Sequence, residues 1–218
     1  MFDLYVYPFP QFSPLANAFL QTLLLLLCPL SISLLLGGFA GLFAFVKCHP
    51  LFARARHPFP PAHPRPGFFR AYAFLTLIPL FYPLTSKVLG LADGLSVLMI
   101  LSLGGTGHFA WHLWKALNGM DLSLPEAALA AGLGTRQIIL RVILPESRAR
   151  VCHALAETSL FLLASGAVAG FLAGGGLAGL AAASAQDSPV WLGSFALQAG
   201  LFLLLGTISA RCAKGAER

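Results

Sequence analysis

The composition of this chain excludes an ordinary water-soluble protein. Of its 218 residues, 57% are hydrophobic and only 10% are charged, whereas a soluble domain carries about 25% charged residues. So few charged side chains cannot cover a particle of this size, and most of its surface must face a lipid bilayer. The formal net charge of +6 does not indicate nucleic-acid binding, because the basic residues lie between apolar runs and not on a soluble surface.

Long apolar segments predict an all-α, polytopic membrane protein with five spans. The first span follows Asp3 with no leading basic residue, and it is too long for the apolar part of a signal peptide. Within it, Pro29 is a candidate kink. We expect one transmembrane domain over residues 1–218, with spans at about 17–46, 70–90, 94–117, 150–175 and 189–210.

The basic residues predict the orientation of the chain. All of them except Lys87 follow the first predicted span, separate the third from the fourth, or follow the fifth. These three regions lie on the same side of the membrane. Because loops rich in Lys and Arg stay in the cytoplasm, we expect the N-terminus outside and the C-terminus in the cytoplasm.

Histidines raise the question of a metal site in two places. Residues 49–67 are rich in proline and histidine, lack a cysteine pair, and predict an irregular cytoplasmic connector. His108 and His112 have a spacing that can bind a metal, but no third ligand is evident. Since Trp111 and Trp114 lie alongside, we interpret them as part of an interfacial aromatic band. The sequence therefore predicts no metal site.

Residues 119–149 are too polar to cross lipid and too patterned to be a simple loop. Ser123 and Glu126 have the spacing of a capping box, in which the serine oxygen accepts an early helical N–H and the glutamate reaches back to the cap. We expect a short helix at about 124–131, ended by Gly132.

Two interpretations of this short helix are open. Its alanines leave the backbone thinly covered, which suits docking into a groove on another protein. Alternatively, it is an amphipathic helix that lies on the membrane, although the Trp or Phe anchors typical of such helices are absent.

The same residues resemble the EAA loop of the membrane subunits of ATP-binding-cassette importers. Val142 stands where the pattern usually has Ile. The resemblance implies a type I importer permease fold, with a cytoplasmic coupling helix that inserts into a cleft of an ATPase subunit. It also implies these ATPase-coupling residues: Glu126 for a polar contact or cap, Ala127 and Ala128 for close approach, Gly132 for the turn, and Leu144 and Pro145.

The resemblance also implies the partners. These are a dimer of ATPase subunits that binds ATP and Mg, an extracytoplasmic substrate-binding protein, and a second copy of this chain in a bacterial inner membrane. No lysine follows a glycine, so the chain has no P-loop. We expect a transport subunit that has no catalytic residues and no cofactor of its own.

A second resemblance reduces the range of candidate solutes. Residues 167–180, AVAGFLAGGGLAGL, are similar to a run in methionine-type permeases, and also in betaine-type and phosphonate-type ones. Five spans with one EAA loop are most like methionine uptake permeases, so the expected solute is an amino acid such as methionine. Betaine, phosphonate or another small solute stays open. A stand-alone channel or secondary carrier would leave the capped helix unexplained, and a membrane enzyme would need a catalytic group that is not evident in the spans.

Polar residues inside the predicted spans are the candidates for the translocation path. These are Thr158, Ser159 and Ser165. Glu157 is the only acid well inside a span, and we expect a local ion pair with Arg150 or His153. Small-residue spacings such as Gly37 to Gly41 permit close helix packing, either within the chain or between two copies.

Overall fold

A computed structural model describes residues 13–48, 78–88, 93–119, 123–173, 175–184 and 188–216. The secondary structure in these ranges is helical throughout, which confirms the all-α class. Residues 78–83 are helical and run into a π-helical turn, Leu84–Val88. The main helices are α1 (Pro14–Ile32), α2 (Gly38–Cys48), α3 (Asp93–Asn118), α4 (Ser123–Ala130), α5 (Thr135–Ile138), α6 (Arg148–Ala173), α7 (Gly176–Ala183) and α8 (Ser188–Ala216).

Four helical stretches in the described part of the chain are long and apolar enough to cross a membrane. They are Pro14–Lys47, Gly94–Asn118, Arg148–Ala173 and Val190–Gly215. Their positions correspond to the first, third, fourth and fifth predicted spans. Of the predicted span at 70–90 the structure describes only 78–88, and the connector at 49–67 lies outside the described residues.

The first span is one continuous helical stretch with a widened turn. Ser13 caps its start, where the Ala16 N–H donates to the serine Oγ at 3.4 Å. The helix continues through Pro29, the candidate kink, and the chain becomes π-helical four residues later at Ser33–Gly37 before α2 begins. The irregularity in the helical hydrogen bonding therefore follows the proline.

Two glycines bring the first span against α3. A Cβ at Gly37 would lie 2.7 Å from the carbonyl oxygen of Thr106, and one at Gly41 would lie 2.9 Å from that of Ala110. Because both obstacles are backbone atoms, only glycine fits at this separation. The spacing of these two glycines thus serves packing within the chain.

Helix α6 lies at the centre of the bundle and packs against α1, α3, α7 and α8. Its Leu162 and Leu163 are buried together with apolar side chains from α1 and α3, including Leu26 and Leu101. This core fixes the height of α6 relative to its neighbours. It thereby positions the polar residues that precede Leu162 on the same helix.

Helix α7 begins at a glycine with a positive φ. Gly176 has a φ of 69°, which favours glycine. Side chains of α1 then cap the start of α7: the Gly176 N–H donates to Gln21 Oε1 at 3.0 Å, and the Leu177 N–H donates to Thr22 Oγ1 at 2.9 Å. The glycine-rich run therefore forms two helices joined by a turn, and α1 satisfies the N–H groups that a helix start leaves unpaired.

Candidate functional site

Helix α4 begins and ends one residue before the positions expected from the sequence. Its end is a Schellman motif, in which the Gly132 N–H donates to the Leu129 carbonyl at 3.0 Å and the Leu133 N–H donates to the Ala128 carbonyl at 3.2 Å. Gly132 has a φ of 80°, a conformation that glycine adopts without steric cost. This residue therefore sets the direction in which the chain leaves α4.

The chain from α5 to α6 is almost continuously helical. Gly134, with a φ of −69°, precedes α5, and its N–H donates to Gln137 Oε1 at 3.4 Å. A π-helical turn, Ile139–Ile143, and a short helix, Leu144–Glu146, follow. The expected helix of the 119–149 region is thus the first part of a larger helical segment, residues 123–147.

The inner face of the 123–147 segment belongs to a hydrophobic core. Ala128, Ile138 and Ile143 are buried in it. The core side chains from the spans are Phe45 of α2, Phe109, Leu113 and Leu117 of α3, and Ala154 of α6. We call this end of the bundle the loop end. The segment is therefore packed directly against three spans.

The outer face of the segment is exposed and partly apolar. Glu126, Ala127 and Pro145 are exposed there. The large apolar side chains are Leu124, Leu129, Leu140 and Leu144, with exposed fractions of 52%, 44%, 53% and 39%. Four large apolar side chains of the segment are therefore left exposed by the rest of the chain.

Two neighbouring alanines of α4 have different environments. Ala127 is exposed, whereas Ala128 is buried against the loop-end core. The small size of Ala128 therefore lets α4 approach the rest of this chain. Of the two, only Ala127 lies on the outer face.

The arrangement of leucines on α4 favours docking over the membrane-lying interpretation. Leu124 and Leu129 are both exposed, but at 100° per residue they lie roughly 140° apart around the helix. Glu126 is exposed between them in the sequence. A helix that lies on a membrane needs one apolar stripe, and the exposed part of α4 does not form one.

A hydrogen bond from Arg150 connects the two ends of the 119–149 region. Its guanidinium, in the first turn of α6, donates to the carbonyl oxygen of Gly119, the residue after the end of α3. The Gly119 N–H in turn donates to the Lys115 carbonyl at 3.1 Å. Arginine thus satisfies a carbonyl at the C-terminus of a helix, where a positive charge is also favourable.

Replacing Arg150 with alanine is expected to loosen the end of α3. A hydrogen bond from a charged donor contributes about 1.5–3 kcal/mol when buried, and we expect about 1 kcal/mol at this partly exposed position. Amide hydrogen exchange near Gly119 should accelerate about fivefold. The matched control is Arg148→Ala, at an exposed site two residues earlier on the same helix. Equal exchange in both variants would contradict the role of Arg150.

The expected ion pair of Glu157 is not formed in the described part of the chain. Arg150 reaches Gly119 instead, and Glu157 Oε1 accepts a hydrogen bond from Ser209 Oγ of α8 at 2.8 Å. His153 Nδ1 also lies near this serine, 3.5 Å from its Oγ. The partner of the acid is therefore a hydroxyl from the last span, 52 residues away in the sequence.

The three candidates for the translocation path are all buried in the helix packing. Thr158 donates to the Ala154 carbonyl at 2.8 Å, and Ser159 donates to the Leu155 carbonyl at 2.9 Å. Ser165 Oγ has no hydrogen-bond partner in the described structure. In this conformation they do not line an open path, and their role in transport stays a prediction.

His108 is packed between two rings. It stacks on His112 and on Phe161, with ring centroids 4.4 and 4.2 Å apart. Its Nδ1 lies 3.3 Å from Thr158 Oγ1. Because that hydroxyl gives its single proton to a carbonyl, Nδ1 is the donor in this contact. The histidine rings are only 24° from parallel, so their in-plane nitrogen lone pairs do not converge on one metal ion.

Comparison with known proteins places the chain among transport components. A family model described as "Binding-protein-dependent transport system inner membrane component" matches residues 50–216. The methionine import system permease protein MetP of Bacillus subtilis is 34% identical over 116 residues, which are 53% of this chain and 52% of that protein. A probable D-methionine transport system permease protein MetI of Vibrio cholerae is 31% identical over 51% of this chain and 50% of its own length.

The matched region spans about half the length of each of these relatives. Solved structures are similar over more of the chain. A chain of the MetNI methionine ABC transporter in an inward facing conformation has a TM-score of 0.73 at 22% identity, over 91% of this chain and 94% of that one. A chain of an amino acid ABC transporter with histidines has a TM-score of 0.64 at 16% identity, over 94% and 93%. These likenesses establish a common fold.

Proposed function

Because the chain belongs to the family of binding-protein-dependent transport system inner membrane components, we propose that it is the permease subunit of an ATP-binding-cassette importer. It translocates a small solute, an amino acid such as methionine, across the inner membrane of a bacterium. The observation that carries this proposal is the 123–147 segment, which has an exposed face and a buried face fixed to three spans.

The exposed face of the segment is the docking surface for the ATPase. Helix α4 enters a cleft of that subunit, with Ala127 allowing close approach and Glu126 making a polar contact. Gly132 sets the angle of α4, and Leu144 with Pro145 extends the surface. Ala128 contributes from the buried side, because it seats α4 on the core that includes α2, α3 and α6.

The energy for transport comes from the partner. Two ATPase subunits bind ATP with Mg, and their closure moves two copies of α4 toward each other. Each copy pulls on its own spans through the loop-end core, and the pair alternates between inward-open and outward-open states. In this arrangement the loop end and the C-terminus face the cytoplasm and the N-terminus lies outside. An extracytoplasmic binding protein delivers the solute.

The names of the curated relatives favour methionine as the solute. Both matched proteins are described as methionine permeases, and the glycine turn at Gly176 falls in the run that resembles methionine-type permeases. Betaine-type and phosphonate-type permeases share that run, so these solutes are the alternatives to test. The path residues Thr158, Ser159 and Ser165 belong to this proposal as well.

Uptake by the reconstituted complex tests the proposal. The permease, its ATPase and its binding protein are placed in proteoliposomes, and entry of radiolabelled methionine is followed with and without ATP. We expect uptake only with ATP, and competition by unlabelled methionine but not by betaine or phosphonate. The control is an ATPase whose P-loop lysine is replaced.

Other outcomes would assign other functions. Uptake that needs neither ATP nor the ATPase subunit would indicate a channel or a secondary carrier and would contradict the proposal. ATP-dependent uptake that only betaine or phosphonate inhibits would keep the importer and replace its solute.

A further inference from the structure

An acidic side chain lies inside the fourth predicted span and forms no ion pair with the described residues. Glu157 is the only acid in the four membrane-crossing stretches of the described chain. It lies nine residues after the start of α6 at Arg148, which is roughly 13 Å along the helix. A carboxylate at this depth is costly unless something compensates its charge.

The contacts of Glu157 leave part of its hydrogen-bonding capacity unused. Ser209 donates its single hydroxyl proton to Oε1 at 2.8 Å. His153 Nδ1, 3.5 Å from the same hydroxyl oxygen, must therefore be the donor in that contact. A carboxylate can accept about four hydrogen bonds, and within the described residues Glu157 accepts this one.

In the described structure the nearby basic residues do not pair directly with Glu157. Arg150 donates to the Gly119 carbonyl, and no basic nitrogen of the described chain forms an ion pair with Glu157. Glu157 is partly exposed as a residue, while Ser209 is 4% exposed. The side chain of Glu157 is therefore not fully enclosed by the described part of the chain.

We propose that Glu157 and Ser209 form a binding site for a monovalent cationic group between α6 and α8. The cation is the ammonium group of the transported solute or an inorganic ion such as Na⁺. The free carboxylate oxygen binds the cation, and Ser209 holds the carboxylate in place. His153 donates to Ser209 and so orients its proton toward Glu157. Binding of the solute's ammonium group at this site rests on the proposed transport of an amino acid. Binding of an inorganic cation does not.

Carbodiimide labelling tests the site without relying on transport. Dicyclohexylcarbodiimide modifies protonated carboxyl groups in apolar surroundings, and a bound cation keeps the carboxylate ionised and unreactive. The full chain in complex with its ATPase is labelled at fixed pH in choline chloride, and the adduct on Glu157 is quantified by mass spectrometry. L-methionine, its analogue 4-(methylthio)butanoate that lacks the ammonium group, and NaCl are then added separately.

The two sources of the cation give different results. Protection of at least fivefold by methionine but not by the analogue assigns the site to the solute. Protection of at least fivefold by NaCl but not by additional choline chloride assigns it to an inorganic cation, even if methionine is not transported. Equal labelling of Glu157 under all conditions would overturn the proposal.

Two variants sharpen the test. In Ser209→Ala the carboxylate stays but loses its hydrogen bond, so the cation concentration for half-protection should rise at least threefold. The matched control is Thr207→Ala on the same helix, whose hydroxyl donates only to the Leu204 carbonyl. Protection that is identical in the Ser209 variant and the wild type would remove Ser209 from the site.

Transport kinetics give a second readout. Glu157→Gln keeps the size of the side chain and a carbonyl that accepts from Ser209, but removes the charge. If the solute ammonium binds here, KM for methionine should rise at least tenfold. If Na⁺ binds here, the variant should lose a dependence on Na⁺ that the wild type shows. An active wild type and a variant with the same KM and the same ion dependence would contradict the site while leaving the permease function intact.

Discussion

Replacing Gly132 with valine is expected to reduce ATP-driven uptake at least tenfold while the permease still inserts and assembles. Gly132 has a φ of 80°, and a β-branched residue in this conformation is strained. The site has no other heavy atom within 4 Å of an added Cβ. The substitution therefore acts on the backbone, where it removes the Schellman turn and redirects α4, and does not disturb the packing.

Gly134 provides a matched control for this experiment. It lies two residues later, also has open space around an added Cβ, and has extended backbone angles that valine adopts readily. Gly134→Val should therefore transport close to the wild-type rate. Uptake is measured in proteoliposomes with an equal amount of co-purified ATPase. Normal uptake by Gly132→Val, or equal loss in both variants, would remove the special role of the Gly132 turn.

Replacing Gly41 with leucine is expected to lower the stability of the helix bundle. A Cβ at this position would lie 2.9 Å from the Ala110 carbonyl oxygen and 3.3 Å from its Cα. Because backbone atoms cannot rotate away, α2 must separate from α3. Forced overpacking of this kind costs about 1–3 kcal/mol, so the midpoint of thermal unfolding in detergent should fall by several degrees.

The control for the Gly41 variant is Gly107→Leu. Gly107 is exposed on α3 and has no heavy atom within 4 Å of an added Cβ, so the larger side chain faces the surroundings of the bundle. Thermal unfolding of this variant should match that of the wild type. If both variants unfold at the wild-type temperature, the close contact between the first span and α3 is wrong.

Features that depend on near neighbours in the sequence could be predicted. Apolar runs indicate spans because a backbone in lipid must satisfy its own hydrogen bonds as a helix. The stop at Gly132 could be predicted because a helix end requires a residue that tolerates a positive φ. The sequence could not show which side of α4 the bundle buries, so it left docking and membrane lying as open alternatives.

Features that depend on how the helices pack could not be predicted in the same way. From the sequence, Glu157 has Arg150 and His153 as neighbours on its own helix, which suggested an ion pair. The structure brings Ser209 from α8 to the carboxylate and directs Arg150 to Gly119. Ala127 and Ala128 are adjacent alanines of the EAA pattern, and the sequence does not distinguish them. Because each residue turns by about 100° around the helix, Ala127 is exposed on the outer face and Ala128 is buried against the loop-end core.

Cysteine crosslinking on α4 is the most direct test of ATPase docking. In a chain whose native cysteines are replaced by serine, Cys is introduced at Ala127, which is exposed, or at Ala128, which is buried. With a Cys in the cleft of the ATPase subunit, the Ala127 variant should form a disulfide with the ATPase in the assembled complex, and the Ala128 variant should not. Failure of the Ala127 variant to crosslink at any position along the cleft would contradict the account.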